Sequence, residues 1–312
     1  MLSTQSAAIS ATSADIKILA AFFAQLDASP KTISTYKRNI RAYTRFLNAA
    51  GLEILTATKN TIRAYKKSLE QAGKKPSTIN AYLTAVRRLY SFLEAEEIKA
   101  NIATNIKGCR RATNSPKQAL TIEQTKALLQ EPAAGARLEQ LRNYAMLNLM
   151  TRRGLRTIEV CRANIEDIQQ INGLAVLYLQ GKGYKEKNDF IILNETCLQP
   201  IYSYLQARNC EDKTAPLFAG CGNRNKGGRL TTRTINRIVK TALKEQGIQA
   251  AELTAHSLRH TAVTIALLGG ASLQETQAMA RHKNINTTLI YAHNLNRLAA
   301  GAEYKIDDVL CA

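Results

Sequence analysis

Beyond Lys31 the apolar positions of the chain recur every three or four residues. In "TISTYKRNIRAYTRFLNAAG" this helical spacing runs up to Gly51. In "STINAYLTAVRRLYSFLEAEE" it opens at Ser77 behind Pro76, with Tyr82, Val86, Leu89 and Leu93 in register and basic residues between them. Residues 31–100 are therefore read as a small helical bundle preceded by an N-terminal segment, 1–30. The stretch "ANIATNIKGCRRATNSPKQA" is polar, basic and broken by Gly108 and Pro116, which marks a linker over 101–119. A second unit, 120–294, opens with Thr121 as N-cap of "LTIEQTKALLQ" and continues through the helical "RLEQLRNYAMLNLMTRRG". The spacing then changes to alternation in "GLAVLYLQ" and "NDFIILN", two antiparallel strands joined by the basic, glycine-rich "GKGYKEK". More helices follow, and 295–312 form a C-terminal segment. The expected fold class is mainly α with a small antiparallel β-sheet: a helical unit, then an α+β unit.

Composition adds a partner. The 312 residues, 45% of them hydrophobic, suffice for two globular domains, yet the formal charge is +19 and the isoelectric point near 9.8. Such an excess implies a polyanion, either nucleic acid or an acidic membrane surface. Residues 31–117 hold 18 Lys+Arg against 5 Asp+Glu, a net +13, so the charge is concentrated on the helical unit. That one-sided sum favours a surface that tracks phosphates. Lys75, Ser77, Thr78, Asn80 and Arg87 are the residues expected at the groove or backbone of duplex DNA.

No run approaches the roughly 18 apolar residues of a membrane span, and no basic amphipathic helix for a membrane surface is found. The start lacks a basic stretch before its short apolar run, which predicts no signal peptide. Six scattered cysteines without a C-x-x-C pair argue against a zinc ribbon and a disulfide framework; reduced thiols and a cytoplasmic location are expected.

Four segments carry chemistry. "RRGLRTIEV" contains Arg156. "GKGYKEK" contains Lys182 but lacks the spacing of an ATP-binding phosphate loop. "ELTAHSLRHTAVTIALLGG" puts His256, Arg259 and His260 within five residues, and in "ARHKNINTTLIYAH" His282 precedes Tyr291 by nine. His256 and His260 have the i, i+4 spacing of zinc ligands. The glutamate base of H-E-x-x-H is absent, however, and Arg259 would repel a cation. A phosphate suits the cluster better, since arginine can bond two oxygens and histidine can donate or relay a proton.

In this order, behind a basic helical domain, the four segments resemble the tyrosine recombinases, the phage-integrase family, over roughly residues 31–300. The resemblance implies a core DNA-binding domain followed by a catalytic domain. It assigns catalysis to Arg156, Lys182, His256, Arg259, His282 and Tyr291, with Glu159 as a supporting carboxylate. One departure is Arg281, where the family usually has glycine before the histidine. His260 is expected to pack against its helix and bond a carbonyl, and His293 to support the site. Tyr304, a rival nucleophile, lacks a histidine at the right spacing.

The implied function is a site-specific recombinase or integrase, of the kind carried by mobile elements, that cleaves and rejoins DNA through a 3′-phosphotyrosine. A phenol with pKa about 10 needs a base or nearby cations to attack at neutral pH. Two arginines supply the cations and neutralise the pentavalent phosphate, so neither metal nor ATP is required. The rivals are relaxation by a type IB topoisomerase and a catalytically idle DNA-binding regulator. The family further implies a homotetramer on two DNA sites, with "LAAGAEYKIDDVLCA" (Ile306, Val309, Leu310) reaching into a neighbour, and an accessory directionality protein.

Overall fold

The computed structural model describes residues 13–110, 119–181, 186–248, 253–299, 306, 309 and 310. The chain divides into two units, Met1–Ser115 and Pro116–Ala312.

The first unit contains α1 (Ser13–Ala24), α2 (Pro30–Ala49), α3 (Lys59–Gln71) and α4 (Pro76–Ala95). Their starts are local chemistry. Pro30 and Pro76 occupy first-turn positions, where a proline loses no hydrogen bond, and Thr58 with Thr61 closes a reciprocal cap on α3. One apolar stripe from each helix meets the others: Ile40, Tyr43 and Leu47 of α2, Ile62 and Tyr65 of α3, and Ile79, Leu83, Val86, Leu89 and Leu93 of α4. The buried tyrosine hydroxyls of Tyr43 and Tyr90 bond each other at 3.0 Å, and Tyr90 donates to the Ile54 carbonyl at 3.1 Å. These bonds offset the cost of burying them.

Two boundaries differ from the sequence reading. Helix α1, inside the expected N-terminal segment, buries Phe22 in the core, and the Asp15 carboxylate accepts from the Ile54 amide at 3.2 Å. The first half of the expected linker also packs here, through Ala103 and Ile106. Asn80 clasps the Cys109 backbone with bonds of 2.9 and 2.8 Å, and Arg87 donates to the Ile106 carbonyl at 2.6 Å. Polar, basic composition concealed a segment held by side-chain bonds to its backbone.

The second unit contains α5 (Ile122–Leu128), α6 (Leu138–Arg153), α7 (Thr157–Arg162), β1 (Ile168–Ile171), β2 (Leu174–Leu179), β3 (Asp189–Ile192), α8 (Glu195–Arg208), α9 (Thr232–Glu245), α10 (Ala255–Leu268), α11 (Leu273–Ala280) and α12 (Asn286–Ala299). Helix α6 is its axis: every side chain from Ala145 to Thr151 is buried, and α8 and α10 pack against it. The sheet is antiparallel in the order β1-β2-β3, with Ile171 opposite Leu174 and Leu177 opposite Ile191.

The fold is mainly α with a small antiparallel sheet. Strands β2 and β3 lie where alternation placed them. Strand β1, "IQQI", is too short and polar to signal alternation. The Asn-Gly pair at 172–173 went unread as its turn, and both residues take positive φ, as a two-residue hairpin turn requires. No helix among the described residues is long and apolar enough to cross a membrane.

Candidate active site

The corner between α6 and α7 begins the site. Gly154 ends α6 at φ +61, and a Cβ there would meet Ala262 of α10 at 3.4 Å, so the chain turns close against α10. Arg156 then stands as the N-cap of α7. Its amide donates to Glu159 Oε2 at 2.8 Å, and its guanidinium Nη1 to Oε1 at 2.7 Å. Glu159 is 1% exposed. Burial pushes its carboxyl up, but Arg281 and the Arg156 amide and guanidinium outweigh this and hold it below the ordinary glutamate value. The ionised carboxylate therefore serves two cations.

The second is Arg281, whose Nη2 donates to Glu159 Oε2 at 2.8 Å. Its backbone caps α11 at φ +52, a conformation that glycine adopts without strain. The side chain supplies the compensation. It is 6% exposed, bonded to Glu159 and to the Met279 carbonyl at 2.7 Å, and the Arg281 carbonyl accepts from Arg156 at 3.2 Å. The departure at this position is thus a built contact.

Helix α10 starts on Thr254, whose hydroxyl accepts from the His256 amide at 3.2 Å. Arg259 is 2% exposed, and its guanidinium bonds the carbonyls of Gly154, at 2.6 Å, and Ala280. It thereby joins the ends of α6 and α11. Burial first, then Arg156 and Arg281, pull its pKa down to about 9, which leaves it charged at neutral pH. His256 lies exposed one turn earlier, its ring edge-on to that of His260 at 4.4 Å.

His282 follows Arg281 directly, and its Nδ1 shares a hydrogen bond of 2.9 Å with the Thr288 hydroxyl. Burial and then the charges of Arg259, Arg156, Arg281 and His256 push it down to about 4, so it is neutral at pH 7. Helix α12 packs on α10 and carries Tyr291, half-buried, with its hydroxyl hydrogen-bonded to Nδ1 of His260. The carbonyl partner expected for His260 is replaced at Nδ1 by the tyrosine.

Of the residues singled out in the sequence, Arg156, Glu159, His256, Arg259, His282 and Tyr291 converge through α7, α10, α11 and α12. Lys182 and Tyr304, and the side chain of His293, lie outside the described residues. In the first unit Lys75, Ser77 and Thr78 lie at the open start of α4, with Lys75 and Ser77 exposed. Asn80 and Arg87, expected at DNA, also bond the 106–109 backbone.

Sequence reasoning missed one surface. Exposed Arg233, Arg237, Lys240 and Lys244 fall four, three and four apart along α9 and line a groove of about 650 Å³. Their spacing in "TRTINRIVKTALKE" was the available signal.

A basic helical unit, and a second helical unit with a three-stranded sheet that brings two arginines onto one buried carboxylate and a tyrosine onto a buried histidine, have the make-up of the tyrosine recombinases. The pattern of the phage integrase family matches residues 118–297, and that of the phage integrase N-terminal SAM-like domain residues 19–97. The chain belongs to the phage integrase family. It is 29% identical over 279 residues to the tyrosine recombinase XerD of Rhizobium meliloti, covering 87% of this chain and 88% of the relative. It is 32% identical over 275 residues to XerC of Pelobacter propionicus, covering 86% and 87%. In fold it is similar to the XerH site-specific recombinase bound to palindromic difH substrate in a post-cleavage complex, with TM-score 0.72, 21% identity and coverage of 93% and 85%. It is likewise similar to the Tn1549 transposon integrase in complex with transposon right end DNA, with TM-score 0.71, 17% identity and coverage of 91% and 98%.

Proposed function

We propose that this recombinase cleaves and rejoins duplex DNA at paired sites through a 3′-phosphotyrosine on Tyr291. The observation that carries this reading is that α12 brings Tyr291 onto α10, the helix of His256 and Arg259, while Arg259 bonds the corner from which Arg156 projects. Tyr291 Oη bonds to phosphorus and the bond to the 5′ oxygen breaks. Arg156 and Arg259 take up the charge of the pentavalent phosphate. His282, neutral and with Nδ1 engaged by Thr288, offers Nε2–H to a phosphate oxygen. Lys182 gives its proton to the leaving 5′ oxygen, and His256 donates a hydrogen bond to the phosphate. The ester retains the energy of the broken bond, so resealing needs neither ATP nor metal.

Each unit contributes a basic surface to the duplex: Lys75, Ser77 and Thr78 with exposed Lys37, Arg38, Arg41 and Arg45 in the first, and α9 in the second. Strand exchange between two sites calls for four protomers. In support, Ile306, Val309 and Leu310 are exposed, and a groove of about 600 Å³ lined by Ile122, Leu129, Ala262, Ile265, Ala266 and Met279 offers an apolar seat for a neighbour's C-terminal segment. An accessory protein sets the direction of the reaction, which proceeds in the cytoplasm.

The test is a nicked suicide duplex of the protein's own site, sought by sequencing the DNA that flanks the gene for a pair of short inverted repeats, incubated in EDTA without ATP. A covalent adduct is expected, lost in Tyr291→Phe and retained in Tyr304→Phe. An adduct that survives Tyr291→Phe, or one that requires a divalent ion, rejects the mechanism. Joined recombinant products, rather than relaxed plasmid alone, separate a recombinase from a topoisomerase.

A further inference from the structure

We infer that His260 holds the hydroxyl of Tyr291 and accepts its proton as the strand is cut. The inference rests on Tyr291 being the nucleophile.

Among the histidines whose side chains are described, the geometry selects His260. Its ring is 3% exposed on α10, faces α12, and meets Tyr291 Oη at Nδ1 with ring centroids 5.3 Å apart. A half-buried phenol and a buried imidazole are thus paired across a helix interface. His282 has its own Nδ1 engaged by Thr288 and is pushed down to about 4, so it has little affinity for a proton at neutral pH. His256 is exposed, and its ring lies edge-on to His260 at 4.4 Å. It borders the acceptor on the solvent side.

In the cleavage step the Tyr291 O–H bond breaks and its proton passes to Nδ1 of His260 while Oη bonds to phosphorus. The bond to the 5′ oxygen breaks, and that oxygen takes a proton from Lys182. The buried imidazolium forms as the adjacent phosphate gains negative charge, which limits the cost of charging it. On resealing, the 5′ hydroxyl gives its proton to the neutral Lys182 amine as its oxygen bonds to phosphorus, the bond from phosphorus to Oη breaks, and Nδ1–H returns the proton to Oη.

His260→Asn tests the inference, because the amide can still hydrogen-bond near the Nδ1 position but cannot take the proton. In the full chain, DNA binding and thermal unfolding are expected to stay close to the parent. Single-turnover adduct formation should fall about 10²- to 10⁴-fold, the usual weight of a general base. Difluorotyrosine at position 291, a more acidic phenol, should restore much of that loss in His260→Asn and change the parent little. Unchanged or faster cleavage in His260→Asn overturns the inference, the faster result marking a latch that restrains the tyrosine. A loss that difluorotyrosine does not relieve overturns it as well, by reducing His260 to packing.

Should the asparagine variant unfold, fluorohistidine at position 260 keeps the shape and lowers the basicity. Slower cleavage supports the inference and an unaltered rate rejects it. Absence of an adduct in the parent chain, or an adduct that persists in Tyr291→Phe, fails the reading of the nucleophile independently of His260.

Discussion

Glu159 and Arg281 lie 122 positions apart in the chain and meet in an ion pair of 2.8 Å, with 1% and 6% of their side chains exposed. The same carboxylate holds Arg156, so one buried negative charge aligns two arginines that are distant along the chain. The pair joins α7 to the loop that carries His282. Its removal therefore bears on both stability and the placing of the site.

Arg281→Gly relieves a left-handed backbone worth about 1–2 kcal/mol but removes one partner of a buried pair, a loss of about 3–5 kcal/mol. Net destabilisation of the catalytic unit by about 2 kcal/mol is expected in urea unfolding. Glu159→Gln should couple to it, so that the double variant loses less than the sum of the two. Strict additivity would show that the pair contributes nothing.

Acid should destabilise the catalytic unit in two stages. His282 is pushed down from 6.5 to about 4 in the folded state, so between these values the unfolded chain binds the extra proton and stability falls as pH falls. Glu159 is also depressed. Its contribution is full above the unfolded value of 4.5 and is lost as pH drops through its lower folded value. Thermal unfolding of His282→Gln should be flatter than the parent between pH 6.5 and 4 and should keep the loss below 4.5.

The two arginines proposed to clamp the phosphate should separate by experiment. The Arg156 side chain is 30% exposed and Arg259 is 2% exposed, bonded to two carbonyls. Arg156→Ala should slow cleavage about 10²- to 10³-fold and lower the melting temperature less than Arg259→Ala does, because Glu159 keeps Arg281 and the backbone amide at position 156 as partners. Arg259→Ala should slow it at least as much and also lower the melting temperature, because the Gly154 and Ala280 carbonyls lose a buried donor. Equal stability of the two variants would contradict the tie between α6 and α11.

The basic face of α9 should govern the salt dependence of DNA binding. Replacing Arg237 and Lys240 with glutamine is expected to lower affinity at low salt and reduce the log–log salt slope by about 0.9 for each phosphate left without its cation. Arg87→Gln should leave the slope nearly unchanged and instead destabilise the first unit through the Ile106 carbonyl. A slope reduced by Arg87→Gln but not by the α9 changes would exchange the two roles.

What the sequence determined by itself is what short-range chemistry encodes. Helix spacing, prolines at first turns, threonine caps and strand alternation act within a few residues, so the helices around Tyr43 and Leu89 and the strands β2 and β3 were legible. The order and spacing of Arg156, His256, Arg259, His282 and Tyr291 were legible as well, because phosphoryl transfer limits the residue types proposed to serve it, and the helices of the second unit bring these residues together. Tertiary structure decided what depends on partners distant along the chain. Asn80 and Arg87 were read for DNA alone, and only the fold showed that they also hold the backbone at 106–109. Arg281 read as an irregularity until Glu159 arrived beneath it. His260 read as packing until α12 laid Tyr291 against it, because a side chain's role follows from the groups that burial brings to it, and those are chosen only when the helices pack.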